Sequence, residues 1–419
     1  MPDISVSSQI FDLVFDPTRP IVYSALLSGE INAFTYDEQG MYARKFDVRP
    51  SRKSCRGLDI SADGSELWAV GKSKALYTLD TATGSIAQTR KNAHDAAINR
   101  VKRLTSYLLS TGDDDGVVKL WDPRQPDAVN TYNHHFDFIS DFLWLEDKKH
   151  LVCTSGDGTL SVLDVRSKKK EPFAQSEDQE DELLSAVSIK NGQKLVIGTQ
   201  LGILSIFNRR SGYSDCVDRV PGHPHSIDAL SPIPSRYPNA ASTILTGSSD
   251  GLVRVVEILP SKLVGVVADH GEFPVERVKV DMGGEGNWVG SVGHDEILKL
   301  TDLREIFEDG GDDDEEKTEE ASEGEENGDN GEGDDADEVA AEEKLTEPPQ
   351  DPSSVEDDEI PSQPSASATE AQEENSDSDS DVFTEKKKRR KKDKDPFKAL
   401  KKSKGRNQLE TDSTFFADL

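Results

Sequence analysis

Three consecutive carboxylates, Asp113, Asp114 and Asp115, have the residue type and spacing to do chemistry, because hard divalent cations want several carboxylate oxygens. The stretch that holds them, "STGDDDGVVKLWDPR" over residues 110–124, lacks the Gly and Glu positions of a calcium loop and runs directly into Val117, Val118, Leu120 and Trp121. Aliphatic, β-branched and aromatic residues around Lys119 spell a buried strand entered from a tight turn. Asp115–Gly116 therefore reads as a hairpin turn with its acidic neighbours in solvent, not as a metal site.

Other reactive types are equally unhelpful to catalysis. His94, His134, His135, His150, His223, His225, His270 and His294 show no ligand or catalytic spacing, and His134 and His135 would point to opposite faces of a strand. There is no nucleophile elbow, phosphate-cradling Gly-rich loop or H-E-x-x-H helix, and "GDDDG" and "MGGEG" form turns that open no helix. No catalytic, cofactor-binding or metal-ligating residue is assigned, no cofactor is expected, and the chain is read as not an enzyme. Cys55, Cys153 and Cys216 lie far apart without C-x-x-C spacing, which argues against disulfides and zinc and for a reducing interior compartment. No apolar run nears the roughly 18 residues needed to span a bilayer. The opening "MPDISVSSQIF" lacks the basic and apolar regions of a secretory signal, so a soluble intracellular protein is expected.

Charge is distributed unevenly along the 419 residues, whose formal net charge is −32. Residues 309–382 hold 31 Asp or Glu against Lys317 and Lys344, too few apolar groups to bury a core, and are expected to be disordered. Next comes "EKKKRRKKDKDPFKALKKSKGR", residues 385–406, with 13 Lys or Arg against 3 acids. Its uninterrupted run Lys386, Lys387, Lys388, Arg389, Arg390, Lys391 and Lys392 suits a nuclear import receptor and a phosphate backbone alike. Ser376, Ser378 and Ser380 sit among carboxylates, the context acid-directed kinases prefer, and each phosphate would add about −1.5 to −2 charge. Phe415, Phe416 and Leu419 in "STFFADL" make an apolar docking candidate after a long polar tract.

The elements behind "DGVVKLWD" recur. Segments aligned on Trp121 place equivalent residues at Phe34, Leu79, Leu163, Phe207, Val256 and Thr301, an interval close to the roughly 40–45 residues of a four-stranded propeller blade. Ahead of most anchors lies a strand ending in small residues, such as "YLLSTG", "HLVCTSG" or "STILTGSS", and ahead of that an apolar stretch such as "INRVKRL" or "ISDFLWL". Seven such units predict an all-β, seven-bladed propeller over 1–308, followed by the acidic region 309–382 and a basic tail 383–419 with an apolar end. The outermost strand of the last blade is expected from "DISVSS", residues 3–8.

These segments resemble WD repeats, with Gly-His-like dipeptides at His94 and at Gly222–His223 and a Trp-Asp end at Trp121–Asp122. The resemblance implies a structural hydrogen-bonded set, for which the third unit offers His94, Ser110 or Thr111, Asp115 and Trp121; the other units depart from the consensus. The opening "IFDLVFDPTRPIVYSALLSGEI", the degenerate blades, the Lys-rich segment and the "FFADL" end make the whole chain similar to the nucleolar WD repeat-containing protein 55 family, Jip-type in fungi. That resemblance implies a non-catalytic scaffold in ribosomal RNA processing and ribosome biogenesis. Its partners would be assembly factors or ribosomal proteins of pre-ribosomal particles, with weak RNA contact through the basic block and the propeller itself monomeric. Two other readings stand beside it. Trp121–Asp122–Arg124, echoed by Asp164 with Arg166 and Asp302 with Arg304, suggests a substrate receptor of a cullin-type ubiquitin ligase, and the acidic tail suits a histone or chromatin adaptor.

Overall fold

The structure, a computed structural model, describes residues 2–307. The regions 309–382 and 383–419, and with them the import, phosphorylation and docking candidates, lie outside the described residues.

Seven four-stranded antiparallel sheets make seven blades, over residues 10–48, 55–90, 98–132, 139–175, 183–220, 227–269 and 275–302, the last completed from the amino-terminal end. First strands of successive blades contact one another in order, and Val275–Val280 returns to Ile10–Phe15, so the sheets close into a ring around a channel. All seven anchor residues lie in third strands, from Phe34 in Ile31–Tyr36 to Thr301 in Ile297–Asp302. The second strands are buried along all but at most their first residue, and end to end in Ile21–Leu26, His150–Ser155 and Thr243–Ser248, because each is covered by a neighbouring blade on both faces. Their small carboxyl-terminal residues have a steric reason: a Cβ on Gly112 would stand 2.6 Å from Ile139 of the next blade.

Closure follows the sequence expectation. Asp3–Ser5 pairs antiparallel with Ile297–Asp302 in the register Asp3 to Lys299, Ile4 to Leu298 and Ser5 to Ile297. The ladder extends at both ends, with the Val6 amide donating to Glu296 at 3.0 Å and the Leu300 amide to Pro2 at 3.2 Å. Ile4 is fully buried among Ile10, Val292 and Leu298, so the two ends of the propeller share one hydrophobic cluster. A last exposed sheet edge is thereby given its partner.

Carboxylates of the first strands staple blade to blade. Asp12 accepts from the Leu58 amide at 2.8 Å, Asp59 from the Arg103 amide at 2.5 Å and Asp141 from the Ala186 amide at 3.2 Å. Arg277, 3% exposed at its side chain, crosses the channel wall to Asp12 at 3.2 Å and Asp141 at 3.5 Å. Burial alone would raise the Asp141 carboxyl; Arg277, Lys279 and Arg100 hold it below the usual range instead.

Candidate functional site

The third blade gathers an imidazole, a hydroxyl and a carboxylate in the arrangement of a nucleophilic triad. His94 Nδ1 lies 2.7 Å from Asp113 Oδ2 and its Nε2 2.6 Å from Thr111 Oγ1, while Trp121 Nε1 donates to the same hydroxyl at 2.7 Å. With Nδ1–H donating to the Asp113 carboxylate, Thr111 donates to Nε2 and accepts from the indole, so every polar atom of the group is satisfied. Thr111 has no exposed surface, and a reacting substrate has no route to it. The set is structural.

Two of its sequence assignments are corrected. Asp115 is exposed and its side chain is no part of the set; the carboxylate is Asp113, the last residue of Leu108–Asp113, which also accepts from the Asp115 and Val117 amides. Ser110 is also buried but points the other way along the strand, donating to the Lys102 carbonyl at 3.3 Å, so Thr111 supplies the hydroxyl. The "DG" turn occupies Asp115–Gly116, and Gly116 has φ 77°, where a Cβ would meet the His135 carbonyl oxygen at 2.7 Å.

The third unit is not alone. His135 pairs with Asp157 at 3.0 Å and Ser161 at 2.8 Å, His270 with Asp295 at 2.7 Å and Ser291 at 2.8 Å, and His223 with Thr246 at 2.8 Å. His135 follows His134 and His270 follows Asp269, so neither shows the small-residue-His dipeptide of Ala93–His94 or Gly222–His223. Position relative to the next strand is the better signal: His94, His135 and His223 stand four residues before Ile98, Ile139 and Ile227, and His270 five before Val275.

What remains is surface. Every first strand carries a register break after its first residue, and the bulged residues, Phe11, Arg56, Asn99, Ser140, Leu184, Asp228 and Glu276, all line one mouth of the channel, a cavity of about 520 Å³. Bulges re-aim a side chain, and here the same device is repeated around the ring. On this upper rim the loops of blades 4 and 5 present Asp137, Glu177, Asp178, Glu180, Asp181 and Glu182 beside two bare apolar side chains, Phe136 (91% exposed) and Leu201 (69%). The Leu201 amide donates to Asp181 at 3.1 Å, which ties apolar tip to acidic loop. Crowding leaves its mark: the Glu182 carboxyl is pushed up by burial and by Asp137 and Asp181. Asp228 is pushed up to about 6, chiefly by burial, with Glu276 adding and Ser226 opposing.

The lower mouth is lined by both signs, with Asp12, Asp59 and Asp141 among its cations. Lys102, Arg103, Lys279 and Arg277 stand at a mouth of about 370 Å³, where burial, Arg277 and Lys102 bring Lys279 down to about 8. The arginines of the Trp-Asp-x-Arg pattern are held by their own carboxylates: Arg124 by Asp122 at 2.5 Å, Arg166 by Asp164 at 2.8 Å and Arg304 by Asp302 at 2.5 Å. Cys55 and Cys153 are buried thiols whose pKa burial pushes up, the former to about 12, and Cys216 is half-buried. Among the described residues no His, Cys, Asp or Glu cluster could hold a metal ion, and no helix is long and apolar enough to cross a membrane.

Comparison with known proteins agrees with the blade geometry. A family model described as WDR55 matches residues 1–306. The chain is similar to WD repeat-containing protein JIP5 of Laccaria bicolor, 62% identical over 327 residues that cover 75% of this chain and 78% of the relative. It is similar also to WD repeat-containing protein 55 of Arabidopsis thaliana, 34% identical over 73% of this chain and 84% of the relative. With its seven blades and a match spanning the whole ring, the chain belongs to the WDR55 family of WD-repeat propellers.

Proposed function

We propose that the protein is a non-catalytic interaction scaffold of the nucleus and nucleolus acting in ribosome biogenesis, in ribosomal RNA processing and large-subunit assembly. One observation carries the reading: the upper rim of blades 4 and 5 sets exposed Phe136 and Leu201 beside a run of carboxylates, with the Leu201 amide bonded to Asp181. Such a surface suits a basic segment with apolar anchors, the character of ribosomal proteins and the factors that escort them. The block Lys386–Lys392 supplies the nuclear import signal and a weak, sequence-independent contact with RNA. In the ligase-receptor reading the exposed Arg124 and Arg166 would have to engage a partner while already paired with Asp122 and Asp164. A histone tail has the chemistry to occupy the same acidic rim, and copurification separates the two. The test is sedimentation of nuclear extract through a gradient, with and without ribonuclease. Ribonuclease-sensitive movement with large pre-ribosomal particles is expected; sedimentation with histones, or only as free protein, overturns the proposal.

A further inference from the structure

We infer that the lower rim of blades 3 to 5 is a single-stranded nucleic-acid surface, a site separate from the acidic rim and independent of the role proposed for it. Two clefts lie side by side there. One of about 530 Å³, between blades 3 and 4, is walled by Lys102, Arg103, Tyr107, Trp144 and Lys149. The other, about 560 Å³ between blades 4 and 5, is walled by Lys148, Arg166, Phe173, Arg209, Arg210 and Tyr213.

The carboxylates in these clefts are committed: Asp59 to Lys102, Glu146 to Lys149, Asp147 to Arg209 and Asp164 to Arg166. Arg103, Arg210 and the exposed run Lys168, Lys169 and Lys170 form no salt bridge among the described residues, and with only Glu171 exposed beside that run the surface is left net positive. Each cleft also offers a bare ring. Tyr107 is 54% exposed with the Arg124 guanidinium 5.1 Å from its centroid, and Phe173 is 63% exposed with the His150 ring at 4.7 Å. The Phe173 amide donates to Val162 at 2.7 Å, so that ring stands on a fixed backbone. Cations that track phosphates, interleaved with rings on which unpaired bases stack, are the physical recipe for binding a single strand. The acidic segment 309–382 also complements the charge, but it contains no aromatic residue with which to occupy Tyr107 and Phe173.

The experiment uses the full chain with all 13 Lys and Arg of residues 385–406 changed to Gln, so that the tail does not mask the propeller, and a fluorescent oligouridine followed by anisotropy across a salt series. Lys168→Glu/Lys169→Glu/Lys170→Glu should weaken binding about tenfold or more and flatten the salt slope by about 2. Tyr107→Ala and Phe173→Ala should each weaken it about five- to tenfold with the slope unchanged. All five positions are in surface loops, and unchanged thermal melting verifies the folds. Photo-crosslinking of the wild-type complex should mark Tyr107 or Phe173. Absence of binding, or equal affinity of the charge-reversed variant, overturns the inference. So do zero-length crosslinks from Lys168–Lys170 to the acidic segment that oligouridine fails to displace, since they make that segment the occupant.

Discussion

Thr111 hydrogen-bonds to two partners from other elements, so its hydroxyl decides whether His94 and Trp121 are satisfied. Thr111→Val leaves two buried nitrogens unpaired and should cost about 2–4 kcal/mol in urea unfolding. Asp115→Ala, at the exposed turn, should cost about 0.5 kcal/mol or less, and the reverse ranking contradicts the assignment of Asp113. A second residue-scale effect is acid sensitivity. His134, by burial and then His135, and His223, by burial and then Arg254, are each brought down to about 4. Both stay neutral in the fold yet take up a proton near pH 6.5 once unfolded. The unfolded chain therefore binds more protons between pH 6.5 and 4, and stability falls as pH drops through that window. Asp228 works the other way, its contribution being lost as pH rises through about 6. His134→Phe is the informative change because neither ring nitrogen of His134 finds a partner. The drop in melting temperature from pH 7 to pH 5 should shrink in that variant, and an undiminished drop contradicts the assignment.

Among the elements, Asp3–Ser5 has the greatest leverage for its length, because it closes the ring. Ile4→Asp buries an unpaired carboxylate in the cluster shared by the first and last blades and should cost about 3 kcal/mol or more. Thermal melting with limited proteolysis of blade 7 checks this, and a melting temperature equal to wild type contradicts the closure. Much at this scale was legible in the sequence. The spacing from Phe34 to Thr301 marked the third strands, because period survives where consensus residues do not. "DISVSS" was legible as the closing strand because a sheet edge has to be covered. The hydrogen-bonded sets were read less well. Asp113 and Asp115 share a strand parity, so alternation cannot choose between them; the answer lay in the strand continuing to Asp113. His135 and His270 lack a preceding Gly or Ala, and what marks them is distance to the next first strand, a quantity set by loop geometry and not by dipeptide chemistry.

The whole molecule is a ring with two unlike ends. Antiparallel connection sends alternate turns to opposite rims, so two loops of opposite sign that flank one strand of blade 4 are parted: "SEDQEDE" at 176–182 rises on the upper rim, "RSKKK" at 166–170 on the lower. That sorting is invisible in composition, because charges of both signs are interspersed along the propeller's sequence and are placed on one rim or the other only when the blades are assembled. The central claim is that the acidic and apolar upper rim holds a pre-ribosomal protein. Its most direct measurement is gradient sedimentation of full-length protein carrying Phe136→Asp and Leu201→Asp, compared with wild type and with the Lys168–Lys170 charge-reversed variant. The upper-rim variant, melting like wild type, should leave the large particles and sediment as free protein, while the lower-rim variant stays associated. An upper-rim variant that still travels with those particles contradicts the account.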